Sequence, residues 1–128
     1  MQPRKILFVD DDKFLLDMYA LKFSKANYEV KTADSTDVGL KLLRDGYVPD
    51  IMMIDIIMPG MDGLDMVQNI RKERLVPKTA IIMLTNQGTP EDIARAKTLN
   101  VDGYIVKATT IPSEVLAAAE KIFNSKNP

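Results

Sequence analysis

Lys5-Ile6-Leu7-Phe8-Val9-Asp10-Asp11-Asp12 and Ile51-Met52-Met53-Ile54-Asp55 decide the reading of this 128-residue chain. In each stretch, a short apolar run that suits a buried strand stops abruptly on carboxylates. In an open parallel sheet, the carboxyl ends of neighbouring strands share one crevice, and ligands bind there. Acids far apart in sequence can therefore meet in one pocket. Carboxylates packed that closely repel unless a hard divalent cation sits among them, and oxygen donors suit magnesium. The pattern points to a site that handles phosphate.

The rest of the chain bears on whether such a sheet exists. Further apolar runs occur at Ala80–Leu84 and Tyr104–Val106, with a weaker, alternating one at Tyr28–Ala33. Helical patterns separate them. Phe14, Leu15, Met18, Tyr19, Leu21 and Phe23 form a broad stripe, Val38, Leu42 and Leu43 a second, and Leu64, Val67 and Ile70 a third. Ile93, Ala96 and Leu99 make a thinner fourth stripe, and Val115, Ala118, Ala119, Ile122 and Phe123 a fifth. Pro90 and Pro112 suit first-turn positions, where the N–H that proline lacks would have no helical partner. The order is β-α five times over. Strands alternating with helices of this length predict right-handed crossovers and an α/β fold: a five-stranded parallel sheet with helices on both faces.

Bulk composition narrows the function classes. Hydrophobic residues at 46% and charged residues at 27% describe an ordinary globular domain. A net charge of -1 gives no reason to expect nucleic acid or an anionic membrane as partner. Of the 18 acids 13 are Asp, and several cluster instead of scattering along helix faces. Cysteine and histidine are both absent, which removes disulfides, thiolate metal sites, and every triad or zinc site needing imidazole. The N-terminus enters a strand pattern at once, and no apolar stretch approaches membrane-spanning length. The expectation is one cytoplasmic domain over residues 1–128, with no linker or repeat.

Each candidate residue has an ordinary reading beside the functional one. The acids at 10–12 can serve a helix N-terminus, and Asp12 is the expected cap. Three adjacent acids exceed what capping needs, so Asp10 and Asp11 are assigned to a metal. Asp55 ends a wholly apolar strand, and Pro59, Gly60 and Gly63 turn the chain away from it. Taken alone, Thr85 and Lys107 are an unremarkable strand-end hydroxyl and a solvated charge. Together, residues after strands one, three, four and five supply a metal site, a carboxylate nucleophile, a hydrogen-bond donor and a cation. Those are the parts needed to move a phosphoryl group.

Val9-Asp10-Asp11-Asp12, Met58-Pro59-Gly60-Met61-Asp62-Gly63, Leu84-Thr85 and Gly103-Tyr104-Ile105-Val106-Lys107 resemble, in order, the motifs of the receiver domain of two-component response regulators. The resemblance covers nearly the whole chain. It implies a flavodoxin-like doubly wound (βα)5 fold with strand order 2-1-3-4-5, the order of the family's chemotaxis member. It further implies that Asp55 accepts a phosphoryl group from a sensor histidine kinase or histidine phosphotransfer protein. Asp10, Asp11, Asp55 and the backbone carbonyl of Ile57 would hold Mg2+, and Lys107 and Thr85 would each bind a phosphoryl oxygen. Tyr104 matches the family's switch aromatic, although a half-buried strand tyrosine is its ordinary reading. Phosphorylation would change the surface of helix four, strand five and helix five, which binds a downstream protein. Such a chain is no enzyme beyond catalysing its own phosphorylation and dephosphorylation. No output domain is expected on the chain, so the signal would leave by protein contact without direct nucleic-acid binding.

Two features depart from the family pattern. Ala108 follows Lys107 where the family usually has proline, often cis; a cis bond before a non-proline residue costs about 3–4 kcal/mol, so trans is expected. Ile57, two past Asp55, cannot orient an attacking water, and Gln87, two past Thr85, is the only polar helper. Slow loss of phosphate is the resulting expectation. Two rival classes remain: a small magnesium-dependent phosphatase or phosphotransferase, and a receiver-like interaction module that never takes phosphate. The first lacks a cap, a lid and a histidine base; the second is favoured only by Ala108.

Overall fold

Five β-α units follow one another along the chain, as a computed structural model that describes residues 2–86, 88–107 and 110–127 shows. The elements are β1 (Arg4–Val9), α1 (Lys13–Lys25), β2 (Tyr28–Ala33), α2 (Thr36–Arg44), β3 (Ile51–Asp55), α3 (Gly63–Lys72), β4 (Ala80–Thr85), α4 (Pro90–Thr98), β5 (Gly103–Val106) and α5 (Pro112–Lys126). All strands pair in parallel in the order β2-β1-β3-β4-β5. The expected α/β class, doubly wound with helices on both faces, is the fold observed. The expectations resting on Gln87 and Ala108 lie outside the described residues.

Alternation along the central strands divides the interior into two layers. Leu7 and Val9 of β1, Met52 and Ile54 of β3, and Ile81 and Met83 of β4 pack with α2, α3 and α4 through Leu40, Leu43, Leu64, Val67, Ile70 and Ala96. Ile6 and Phe8, Ile51 and Met53, and Ile82 and Leu84 face α1 and α5, meeting Leu16, Tyr19, Phe23, Val115 and Ala119. Phe8 stacks on Tyr19 and meets Phe23 edge-on, with centroids 5.3 and 5.0 Å apart. The three central strands are buried on both faces, which is why they read as continuous apolar runs.

The helix stripes are redistributed in two places. On α1 the broad stripe splits: Leu16, Tyr19 and Phe23 are buried, while Phe14 is 78% and Leu21 60% exposed. Residues seven apart return to one helical face, so α1 is apolar on an outer as well as an inner side. On α2, Val38 points outward, and Thr36, Gly39, Leu40 and Leu43 form the buried face instead. Pro90 and Pro112 open α4 and α5 as expected.

Gly63 shows how tightly the joint after β3 is built. Its N–H donates to the Ile56 carbonyl at 2.8 Å, folding the loop back on itself. A Cβ at this position would lie 2.0 Å from the Asp55 carbonyl oxygen, so no other residue fits without moving the Asp55 backbone.

Candidate functional site

The sheet register brings the acids together. Val9 pairs with Ile54, so the next residues, Asp10 and Asp55, leave adjacent strands side by side. Asp55 in turn pairs with Leu84, one residue before Thr85, and Thr85 pairs with Val106, one residue before Lys107. This is the reversal point of the strand order, where β1 leads to β2 on one side and to β3 on the other.

A cavity of about 320 Å3 opens there, lined by Asp10, Asp11, Asp12, Leu15, Asp55, Ile57, Thr85, Asn86 and Lys107. Asp10, Asp55 and Thr85 are buried. Asp11 is exposed at the mouth, as is Ile57, whose side chain is 69% exposed. The Lys107 ammonium reaches between the two buried acids, 2.9 Å from Asp10 Oδ2 and 3.5 Å from Asp55 Oδ2.

The three adjacent aspartates divide their tasks. Asp12 caps α1, its carboxylate accepting from the N–H groups of Phe14 and Leu15 at 3.0 and 3.2 Å. Asp10 accepts from the Asp12 N–H at 2.9 Å with one oxygen and from Lys107 with the other. Asp11 makes no cap and, with Asp10 and Asp55, offers carboxylate oxygens that all lie within 4.8 Å of one another. An all-oxygen donor set of this kind fits a hard divalent cation such as magnesium.

Electrostatics mark Asp55 as the strained group. Burial first, and the Asp10 charge second, push its pKa up to about 6 against the pull of Lys107. For Lys107, burial works against the charged form. The hydrogen bond to Asp10 and the charges of Asp55 and Asp10 outweigh it, and the pKa stands above its usual value. Among the cavity-lining residues Lys107 faces the acids as their single cation, which leaves room for further positive charge.

Tyr104 does not line this cavity. It lies beside a smaller recess of about 200 Å3 formed with Ile93, Ala96, Lys97, Val101, Asp102 and Gly103, between β5 and α4. Its ring packs against the layer containing Met83 and Ala96. Its hydroxyl is buried with no hydrogen-bond partner among the described residues, and burial followed by the Asp92 charge raises its pKa.

One polar cluster next to the site escaped the sequence reading. Asp62 and Asp65 form the capping box of α3, and both carboxylates also bind Arg95 of α4. The Asp-x-x-Asp spacing just before an apolar run is a visible start signal for a helix. Nothing in the sequence assigns the arginine to it. Asn86, which lines the cavity immediately after Thr85, was also not singled out.

Comparison with known proteins agrees with this geometry. A doubly wound (βα)5 sheet with acids and a lysine gathered at its switch point describes a receiver-like domain, and residues 6–120 match the response regulator receiver domain family. The chain belongs to that family. It is 27% identical over 128 residues to the phosphate regulon transcriptional regulatory protein PhoB of Pseudomonas aeruginosa, covering 100% of this chain and 55% of that protein. It is 34% identical over 123 residues to the probable transcriptional regulator ycf27 of Guillardia theta, covering 96% of this chain and 46% of that protein. The chain spans about half the length of the curated relatives it matches. A CheY-like receiver domain protein from Methanospirillum hungatei JF-1 superposes with a TM-score of 0.88 at 26% identity, covering 98% of this chain and 97% of the other.

Proposed function

We propose that the chain is a phosphorylation-dependent signalling switch whose acceptor is Asp55. The observation that carries this reading is the meeting of Asp10, Asp11 and Asp55 beside Lys107 in one cavity. The donor is the phosphohistidine of a sensor histidine kinase or histidine phosphotransfer protein. An Asp55 carboxylate oxygen attacks phosphorus in line and the P–N bond breaks. Its electron pair stays on the imidazole nitrogen, and the phosphoryl group ends as an acyl phosphate.

Asp10, Asp11, Asp55 and the Ile57 carbonyl would hold a magnesium ion, which supplies positive charge to the phosphoryl oxygens when bound. Lys107 is held by Asp10 at the edge of the acceptor and offsets charge on a second oxygen. Thr85, at the end of β4, donates its hydroxyl to a third. Asp10 thereby orients both charges that the phosphoryl group meets. The chain performs this chemistry only on itself and turns over no separate substrate.

Exposed apolar side chains on the cavity rim and on the adjoining first turn of α1 support a protein as donor. Phe14 is 78% exposed beside cavity-lining Leu15, and Ile57 is 69% exposed on the rim. Output is assigned to the face formed by α4, β5 and α5, where Tyr104 sits, and its partner is a protein surface. The net charge of -1 offers no attraction for nucleic acid. Among the described residues no helix is long and apolar enough to cross a membrane. A cytoplasmic site of action is part of the same reading.

Borohydride reduction tests the assignment directly. After incubation with magnesium and acetyl phosphate, an acyl phosphate at Asp55 is reduced to homoserine, which peptide mapping locates. Homoserine at position 55 is expected. Homoserine at Asp10 or Asp11 instead would overturn the choice of acceptor.

A further inference from the structure

Helix α4 is attached to its neighbour in an unusual way. Ala96 is its only fully buried residue, whereas α3 buries Gly63, Leu64, Met66, Val67 and Ile70. Two arginines provide polar ties in place of apolar area. Arg71 of α3 donates to the carbonyls of Leu99 and Asn100 at 3.1 and 2.9 Å, fastening the C-terminal end of α4. Arg95 of α4 reaches back in the other direction. It donates to Asp62 Oδ2 at 3.3 Å and to Asp65 Oδ1.

Asp62 and Asp65 are not free surface acids. Asp62 Oδ1 accepts from the Asp65 N–H at 2.7 Å, and Asp65 Oδ2 accepts from the Asp62 N–H at 3.3 Å. Each carboxylate therefore spends one oxygen on the N-terminus of α3 and the other on Arg95. That cap closes the loop that starts at Asp55, carries Ile57, and is pinned by the bond from Gly63 N–H to the Ile56 carbonyl. A continuous chain of contacts thus runs from the acceptor loop through the α3 cap to α4, by a path that includes neither Thr85 nor Tyr104.

We propose that Arg95 is a latch that couples the acceptor loop to the position of α4. The inference rests on the phosphorylation switch proposed above and adds a second route by which it reaches the α4 face. Arg95 acts as a positioning residue, since it touches none of the reacting groups. All three side chains of the latch are between one-third and one-half exposed, so the tie is weak enough to open. An element held by few buried apolar contacts opens locally more readily than its neighbours. Without the guanidinium, two carboxylates are left facing each other across the cap, and both the loop and α4 loosen. Linkage then requires the change to be reciprocal: what Arg95 does for α4 must also be felt in metal affinity at the loop.

Amide hydrogen exchange and magnesium titration on unphosphorylated protein test this, with Arg95→Gln and Arg95→Lys beside wild type. Arg95→Gln should speed exchange of the α4 amides by about threefold to tenfold while those of β1 and α5 stay as they were. It should also weaken magnesium binding by about threefold, and Arg95→Lys should restore part of both. Unchanged α4 exchange would overturn the latch. So would faster α4 exchange with unaltered magnesium affinity, since Arg95 would then be a local clip. Phosphorylation of wild type by acetyl phosphate separates the two ideas: if it fails, the switch itself is wrong, whereas the latch can fail with phosphorylation intact.

Discussion

Asp55 is buried beside Asp10, and the metal-free protein bears the cost of ionising it. The ordinary carboxyl value of 3.8 is raised to about 6 in the fold, by burial first and by Asp10 next. Folded protein therefore holds this proton more tightly than unfolded chain does, and the contribution of Asp55 to stability is lost as pH rises from about 4 to 6. Asp55→Asn should remove that penalty. With chelator present at pH 7 it should stabilise the protein by about 1–3 kcal/mol, the gain shrinking to nothing below about pH 4. Urea midpoints of both proteins across this range provide the check; equal midpoints at pH 7 would mean that Asp55 is not strained. The assembly of acids was legible in the sequence because strand ends in a parallel sheet converge by necessity. Their division of labour was partly legible: Asp12 was expected to cap α1 and does so. The ion pair between Lys107 and Asp10 was not, because it depends on side-chain reach across 97 residues of chain.

At the scale of elements, the β3–α3 joint leaves no room for a side chain at position 63. A methyl group at position 63 would collide with the Asp55 carbonyl oxygen, a backbone atom that cannot rotate away. Gly63→Ala should cost about 2–4 kcal/mol, as overpacking at a rigid contact does, and slow phosphorylation as the loop shifts. A thermal melt compared with Gly60→Ala, where a Cβ meets nothing within 4 Å, separates the clash from the strain of a positive φ. The strands were readable nearly to the residue, since buried central strands leave little room for polar positions. Helix faces were less so. Val38 and Leu40 are both apolar and two residues apart, and only the placement of α2 against Met66 and Val9 decides which is inside. Phe14 and Leu21 joined the core stripe in the sequence because hydrophobicity alone cannot separate an inner from an outer apolar face.

Over the whole molecule, the fold places the strained Asp55 at one point, and two routes lead from it, one proposed and one made of observed contacts. The switch proposed above would run from Thr85 toward Tyr104 on β5, and a line of observed contacts runs from the loop through Asp62 to Arg95 on α4. Both end at the same face, formed by α4, β5 and α5. The first is what the resemblance to the receiver motifs implies. The second was not legible in the sequence, because a salt bridge between Arg95 and a helix cap 30 and 33 residues earlier leaves no periodic trace. The central claim is that this architecture exists to phosphorylate Asp55. Intact mass after incubation with acetyl phosphate, with magnesium or with chelator, for wild type and Asp55→Asn, tests it most directly. The account predicts one added phosphoryl group on wild type with magnesium only, and none on Asp55→Asn. Equal addition to both proteins, or none to either with magnesium bound, would contradict it.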